Sequence, residues 1–157
     1  SQKSVMPPYL NKVVLKLEIW LRARMLPFQI GNRSLARVLR VAESDPIERL
    51  RGTDPDLISK YAIRLTRNPI LMRNNQCLRT GVLGYTMLRR AGHEPQLWFG
   101  LEDKSLEQEA LEAHCWVVLD GKSVIDDQHE NMTVIHIHPQ GAAEIPPHNS
   151  PAQQPQE

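Results

Sequence analysis

After Gly92 the spacing of apolar side chains changes. Before it they recur every three or four residues, the repeat of an α-helix; after it they fall into short runs with the two-residue repeat of β-strands. A chain with helices first and strands second must bury a helical face against a sheet, which is an α+β arrangement. The expected layout is one domain over 1–138. Its helical part covers 9–68, and a cysteine-bearing helix with a small antiparallel sheet packed on it covers 69–138. A Pro/Gln-rich tail over 139–157 holds five of the twelve prolines and has the composition of a disordered or surface-draped segment.

The first helix starts near Tyr9. Leu10, Val13, Leu17 and Leu21 form its expected inner stripe, widened by Val14, Ile19 and Trp20; Lys12, Lys16, Arg22 and Arg24 form the outer side, and Pro27 is expected to close it. The helix is greasy, but its lysines and arginines argue against membrane insertion. Ile30 to Arg33 reads as a turn, and Ser34 to Val41 as a short helix. Thr53 or Asp54 caps a further helix with Pro55 at its first position. Leu57, Ile58, Tyr61, Ala62 and Leu65 face inward on it, and Asn68-Pro69 ends it. Lys60, Arg64 and Arg67 line another side, which reads either as solvated surface or as a face for a peptide carboxylate or acidic partner.

The next helix carries Gln76-Cys77 in its first turn. Leu78, Val82, Tyr85 and Leu88 make its apolar stripe, Gly81 and Gly84 imply a closely packed neighbour, and Gly92 suits the C′ position. Strands are expected at Gln96–Leu101, Ala113–Leu119, Lys122–Asp126 and Met132–His138, the last at an edge. Glu102 to Glu112 reads as a charged surface loop. Asp120-Gly121 marks a hairpin. A three-residue loop from Leu119 to Gly121 pairs Val118 with Lys122 and sets His114 opposite Asp126; a two-residue turn sets His114 opposite Asp127 instead. Both turn types are common, so the residues alone leave the two registers open.

The formal net charge of +1 demands neither a nucleic acid nor an anionic membrane as partner. Two cysteines, Cys77 and Cys115, without a C-x-x-C pair fit a reducing compartment and exclude a disulfide scaffold or a cysteine-rich zinc site. No apolar run reaches membrane-spanning length and no signal-peptide pattern opens the chain, so the expected location is cytoplasmic. His136 and His138 alternate on one strand face and could share a metal, with His129 near in sequence. No third ligand is marked, so a surface strand bearing two histidines is expected, with no metal and no cofactor. His93 reads as a loop residue.

Cys77 has two readings. Most free cysteines are small buried hydrophobes. At a helix start, though, unpaired N–H groups and the dipole favour a thiolate and can bind an oxyanion. A histidine on a strand and an acid on the next strand supply the rest of a nucleophilic set: His114 to move the proton, and Asp126 or Asp127 to hold the imidazole tautomer. Cys115 points to the strand face opposite His114. It reads as a packed small residue, with a redox partnership to Cys77 as the other reading.

The order cysteine at a helix start, histidine on a strand, acid on the following strand is that of the papain and transglutaminase architecture. From Leu10 to Gln128 the chain resembles the transglutaminase-like B2 proteins of lasso-peptide biosynthesis. The resemblance lies in Cys77-Leu78, in Met87 to Gly92 leading to Leu97 to Gly100, in Ala113-His114-Cys115-Trp116-Val117 and in Asp120-Gly121. Met25-Leu26-Pro27-Phe28 resembles the end of the family's N-terminal segment. The chain departs from the family pattern at Gln76, at Thr80-Gly81, and at Cys115, where alanine is usual.

The resemblance implies a cysteine peptidase that removes the leader of a ribosomally made precursor before a separate cyclase closes the lasso. It places the catalytic set on Cys77, His114 and Asp126, and with the acid at Asp126 the three-residue loop is the expected hairpin. It implies the leader region of the precursor as substrate and a separate leader-binding B1 protein as partner, because no segment here has the pattern of that winged-helix module. The lasso cyclase is a further candidate partner. Lys60, Arg64, Arg67 and Gln76 are the candidate residues for substrate or partner binding. Two other functions stay open: a transglutaminase-like acyltransferase using the same three residues, and a non-catalytic peptide-binding scaffold.

Overall fold

The structure, a computed structural model, describes residues 8–30, 34–67, 76–102, 113–126 and 131–139. Among these residues four helices precede four strands: α1 (Pro8–Ile30), α2 (Leu35–Ala42), α3 (Pro55–Thr66), α4 (Gln76–Arg90), then β1 (Gln96–Glu102), β2 (Ala113–Leu119), β3 (Lys122–Ile125) and β4 (Met132–His138), with a 3-10 turn at Glu48–Leu50. All strand pairings are antiparallel, in the order β3-β2-β1-β4. The change of period at Gly92 therefore falls on the boundary between the two halves. All but Pro139 of the expected tail over 139–157, together with residues 103–112 and 68–75, lie outside the described residues.

Helix α4 is the centre of the molecule. Every residue from Thr80 to Leu88 is buried, so it has no wet face over these turns; the single apolar stripe expected from the sequence understates its burial. Two glycines let the sheet come close. A Cβ at Gly81 would lie 2.7 Å from Cys115 Sγ and 3.3 Å from a Leu97 methyl, and one at Gly84 would lie 1.9 Å from Ile125 Cδ1. The helix ends as expected. Gly92 takes a left-handed φ of 84°, its N–H bonds to Arg89 O at 2.9 Å, and His93 N–H reaches Leu88 O at 3.0 Å. These two bonds are a Schellman closure, which satisfies carbonyls the helix leaves open.

The other helices wrap α4. Asp54 caps α3 by accepting from Asp56 N–H at 3.1 Å, with Pro55 at the first helical position. The Ala42 carbonyl at the end of α2 accepts from the buried Thr86 hydroxyl at 3.1 Å. The segment after α2 is laced to the end of α4 by Ile47 N–H to Arg90 O (2.8 Å) and Gly52 N–H to Ala91 O (3.0 Å). Glu18 of α1 binds both Arg49 and Arg90, the latter at 3.3 Å. His93, expected as a loop residue, sits with Nε2 2.7 Å from Thr53 O.

Helix α1 differs from expectation in two ways. It buries Leu15, Ile19, Ala23 and Leu26, whereas Val13, Leu17 and Leu21 of the expected inner stripe are exposed; the Leu10 side chain lies outside the described part. Apolar residues run almost all round this helix, so periodicity alone permits more than one stripe. The stripe that goes inward joins the main core, and beside it the Glu18 carboxylate meets Arg49 and Arg90. Pro27 does not close the helix, which runs on to Ile30. A proline removes one backbone donor and crowds the carbonyl four residues back, and a helix can survive that near its end.

The β2–β3 hairpin also differs. Leu119 pairs with Lys122 around a two-residue turn, not the expected three-residue loop. Asp120 and Gly121 both take left-handed φ, 50° and 75°, as a type I′ turn requires, and its twist matches the strands it joins. The register then shifts once more. Val118 pairs with Ser123 but Val117 pairs with Ile125, leaving Val124 as the extra residue of a bulge. The bulge turns Ile125 inward with Val117, where it fills the space over Gly84. Pairing stops there, so neither register considered from sequence, His114 against Asp126 or against Asp127, occurs among the described residues.

The sheet has two dressed faces. Leu97, Phe99, Cys115, Val117, Leu119 and Ile125 join the main core with the helices; Trp98, Trp116 and Val118 form a second cluster with Met132, Val134 and Ile137. Gly84 gives the first test. Gly84→Ala should lower the urea midpoint, because overpacking at Ile125 costs about 1–3 kcal/mol against a gain of at most about 1 kcal/mol in helix propensity. Adding Ile125→Val removes the clashing methyl and should return the midpoint to or above that of Ile125→Val alone.

Candidate active site

Cys77 is the second residue of α4, as the sequence suggested, and is half-buried. A side chain there is within reach of the N–H groups that a first helical turn leaves without intrahelical partners. Its Sγ lies 4.0 Å from Ala113 O, at the first residue of β2. The thiol thus stands at the end of the strand that carries His114 as its second residue.

Strand alternation sets the side of the sheet on which each β2 residue lies. Cys115 lies against α4 under Gly81, so Ala113 shares the α4 side and His114 shares the side of Trp116. The register agrees. His114 pairs with Gly100, whose missing Cβ would lie 2.8 Å from the Trp116 ring. His114 is half-buried. Its backbone follows directly on the Ala113 carbonyl that meets the Cys77 sulfur, while its side chain starts from the sheet face away from α4.

Asp126 is the residue directly after β3. Its backbone is left-handed, φ 59°, a conformation aspartate adopts more readily than most non-glycine residues. The Ser123 hydroxyl donates to its carbonyl oxygen at 2.8 Å. Asp127 lies outside the described residues. Cys115 reports on both neighbours: burial pushes its thiol well above the usual range, and the nearby Cys77 and Asp126 push it further in the same direction. Cys77 and Asp126 therefore both stand close to the residue next to His114, although the hairpin does not set Asp126 opposite His114.

Two hydroxyls missed by the sequence reading fix the start of α4. Thr80 and Thr66, both buried, have Oγ1 atoms 2.7 Å apart. Thr80 Oγ1 also lies 2.8 Å from Gln76 O, and Thr66 Oγ1 lies 2.8 Å from Ala62 O. Each hydroxyl has one proton, so Thr66 donates to Ala62 O and accepts from Thr80, whose proton is shared between Thr66 Oγ1 and Gln76 O. The effect is to tie the last turn of α3 to the first turn of α4, next to Cys77. In the sequence, the signal was a hydroxyl residue inside an apolar helix run.

The remaining candidates are apart from this cluster or on the surface. Gln76 opens α4 and is exposed; Lys60, Arg64 and Arg67 are exposed along α3. His136 and His138 do share a face, as expected, but it is the inner one. His136 stacks near Phe99 at 5.9 Å and His138 near Tyr85 at 5.7 Å. His138 Nε2 is 3.6 Å from Glu43 Oε1, and burial lowers its pKa although Glu43 acts the other way. Among the described residues, no three or more His, Cys, Asp or Glu side chains converge as a metal would require; His129 lies outside them. Among the same residues no helix is long and apolar enough to cross a membrane.

The profile of the transglutaminase-like superfamily matches residues 13–137, which runs from within α1 to the last residue but one of β4. The chain belongs to the transglutaminase-like superfamily. This is the fold of cysteine peptidases and related acyl-transfer enzymes, and its matched span takes in the Cys77 helix and the sheet together. Neither a search of curated proteins nor a search of solved structures gives a match.

The two thiols should behave differently. Cys77 is half-buried, and Cys115 is 2% exposed with a raised pKa. Brief treatment of the folded protein with iodoacetamide near neutral pH should add one group, on Cys77, because alkylation needs an accessible thiolate. Peptide mass mapping checks this; unfolding in urea should make both sites react.

Proposed function

We propose that the protein is a cysteine peptidase of the transglutaminase-like type that removes the leader from a ribosomally made precursor peptide in lasso-peptide maturation. The observation that carries the reading is the placement of Cys77 on the first turn of α4 with its sulfur against the start of β2, one residue from His114. The chain's membership of the superfamily and the sequence resemblance to B2 proteins support it.

In this reading the Cys77 thiolate attacks the scissile carbonyl carbon, and the electron pair of the C=O moves to oxygen. The N–H groups at the start of α4 stabilise that oxyanion. His114 takes the thiol proton and delivers it to the leaving amine as the C–N bond breaks, which leaves an acyl-thioester on Cys77. His114 then takes a proton from water, whose oxygen attacks the thioester; the carboxylic acid leaves and the proton returns to sulfur. Asp126 holds the imidazole and stabilises its charged form. Lys60, Arg64, Arg67 and Gln76 are the proposed contacts to the leader or to a separate leader-binding B1 protein. The lasso cyclase is a second proposed partner, and the proposed setting is the cytoplasm.

Candidate precursor peptides incubated with the protein, with and without an added primary amine, should give the hydrolysed leader acid by mass in both cases. An amide adduct as the main product would instead support the acyltransferase reading. Cys77→Ala should reduce cleavage at least about a thousandfold while circular dichroism and thermal midpoint stay close to wild type. Unchanged cleavage would overturn Cys77 as the nucleophile, and binding without cleavage by the wild-type protein would favour the scaffold reading. Asp126→Asn should lower kcat at least about a hundredfold, while Asp120→Asn, at the hairpin turn, and Asp127→Asn should both retain activity.

A further inference from the structure

Helix α1 leaves Val13, Leu17, Trp20, Leu21, Met25 and Phe28 between 44% and 84% exposed, with Phe28 the most open. They recur at three-, four- and seven-residue spacing and form one face, opposite the buried Leu15, Ile19, Ala23 and Leu26. From Val13 to Phe28 this ridge is about 22 Å long. So many large apolar side chains on one helix face exceed the scattered exposure that ordinary protein surfaces show.

The charge around the ridge says what can cover it. Lys12, Lys16 and Arg24 are exposed on α1, and Lys60, Arg64 and Arg67 are exposed on α3. The two helices meet where the Lys16 ammonium sits 5.1 Å from the centre of the Tyr61 ring. The one acid of α1, Glu18, is turned away and held by Arg49 and Arg90. A second copy would bring cations against cations across the same apolar strip. A lipid surface would have to accommodate Arg24, which stands within the ridge with its guanidinium 5.0 Å from the centre of the Trp20 ring. Charge in the middle of an inserting face opposes the burial that holds an in-plane helix. A carboxylate carried by a protein can instead pair with Arg24 in place.

We infer that the outer face of α1 is a docking surface for a protein partner that presents an apolar helix flanked by acidic side chains. It is separate from Cys77 and holds whether or not the proposed peptidase reaction is right. Apolar contact supplies the attraction, and the cations select the partner and speed its approach.

A synthetic helical peptide with leucines on one face and glutamates along both flanks serves as the probe, with a twin in which every glutamate is lysine. The full chain should bind the glutamate peptide by calorimetry and bind the lysine twin at least tenfold more weakly. Leu17→Ser with Phe28→Ser, and separately Arg24→Glu, should each weaken the glutamate peptide at least tenfold. Circular dichroism should stay unchanged, because the altered side chains are outside the core. Equal affinity for both peptides, no effect of either variant, or no binding at all would overturn the inference. So would concentration-dependent dimerisation in sedimentation, or binding to vesicles of phosphatidylglycerol and phosphatidylcholine, if the Leu17→Ser and Phe28→Ser pair abolished it.

Discussion

The contact between α4 and the sheet governs the rest of the molecule. At Gly81 and Gly84 the helix has no side chain, and the space is taken by Cys115, Leu97 and Ile125. Each glycine weakens the helix by up to about 1 kcal/mol relative to alanine, and the loss is offset because helix and strands can then pack with little void between them. This close approach fixes how far the start of α4 stands from the start of β2, and so where the Cys77 sulfur meets the Ala113 carbonyl. A transglutaminase-like site draws its groups from a helix end and from strands, so the spacing of those elements is a condition for any chemistry there.

Around this contact the polar groups work as ties. Thr66 and Thr80 join α3 to the start of α4, while Glu18 joins α1 to the end of α4 through Arg90 and to the 3-10 turn through Arg49. The two ends of the buried helix are thus anchored by different means, hydroxyls at one and an ion cluster at the other. The hydroxyl tie is the drier one. Removing one partner there would leave a polar atom without water to replace it, the expensive way to lose a hydrogen bond.

Much of this was legible in the sequence, and the exceptions have physical causes. The change of period at Gly92, the Asp54-Pro55 helix start, the Schellman glycine and the spans of β2 and β4 are local features. Each is encoded within a few residues and appears as read. The inner face of α1 was not readable from periodicity, because apolar residues surround that helix and which stripe is buried depends on the core residues it packs with, far away in the chain. The hairpin failed in a similar way. Asp120-Gly121 announces a turn, but the bulge at Val124 exists because Ile125 is needed over Gly84, a contact no local rule contains. For the site, the helix-start cysteine and the strand histidine were visible as residue types at a spacing. The threonine pair and the proximity of Asp126 to Cys115 depend on how distant elements pack.

Among the described residues the sheet has four strands, with β3 and β4 at its two margins. Each carries an irregularity: Val124 is the extra residue in β3, and Ile135, more than half exposed, is the one left over where β4 shifts register against Phe99 and Gly100. A regular edge offers evenly spaced N–H and C=O groups on which a strand from another molecule can grow. Here neither edge keeps that even spacing along its length. The same two inserted residues that aim side chains within the fold also make both margins of the sheet poor templates for fibrous or edge-to-edge self-assembly.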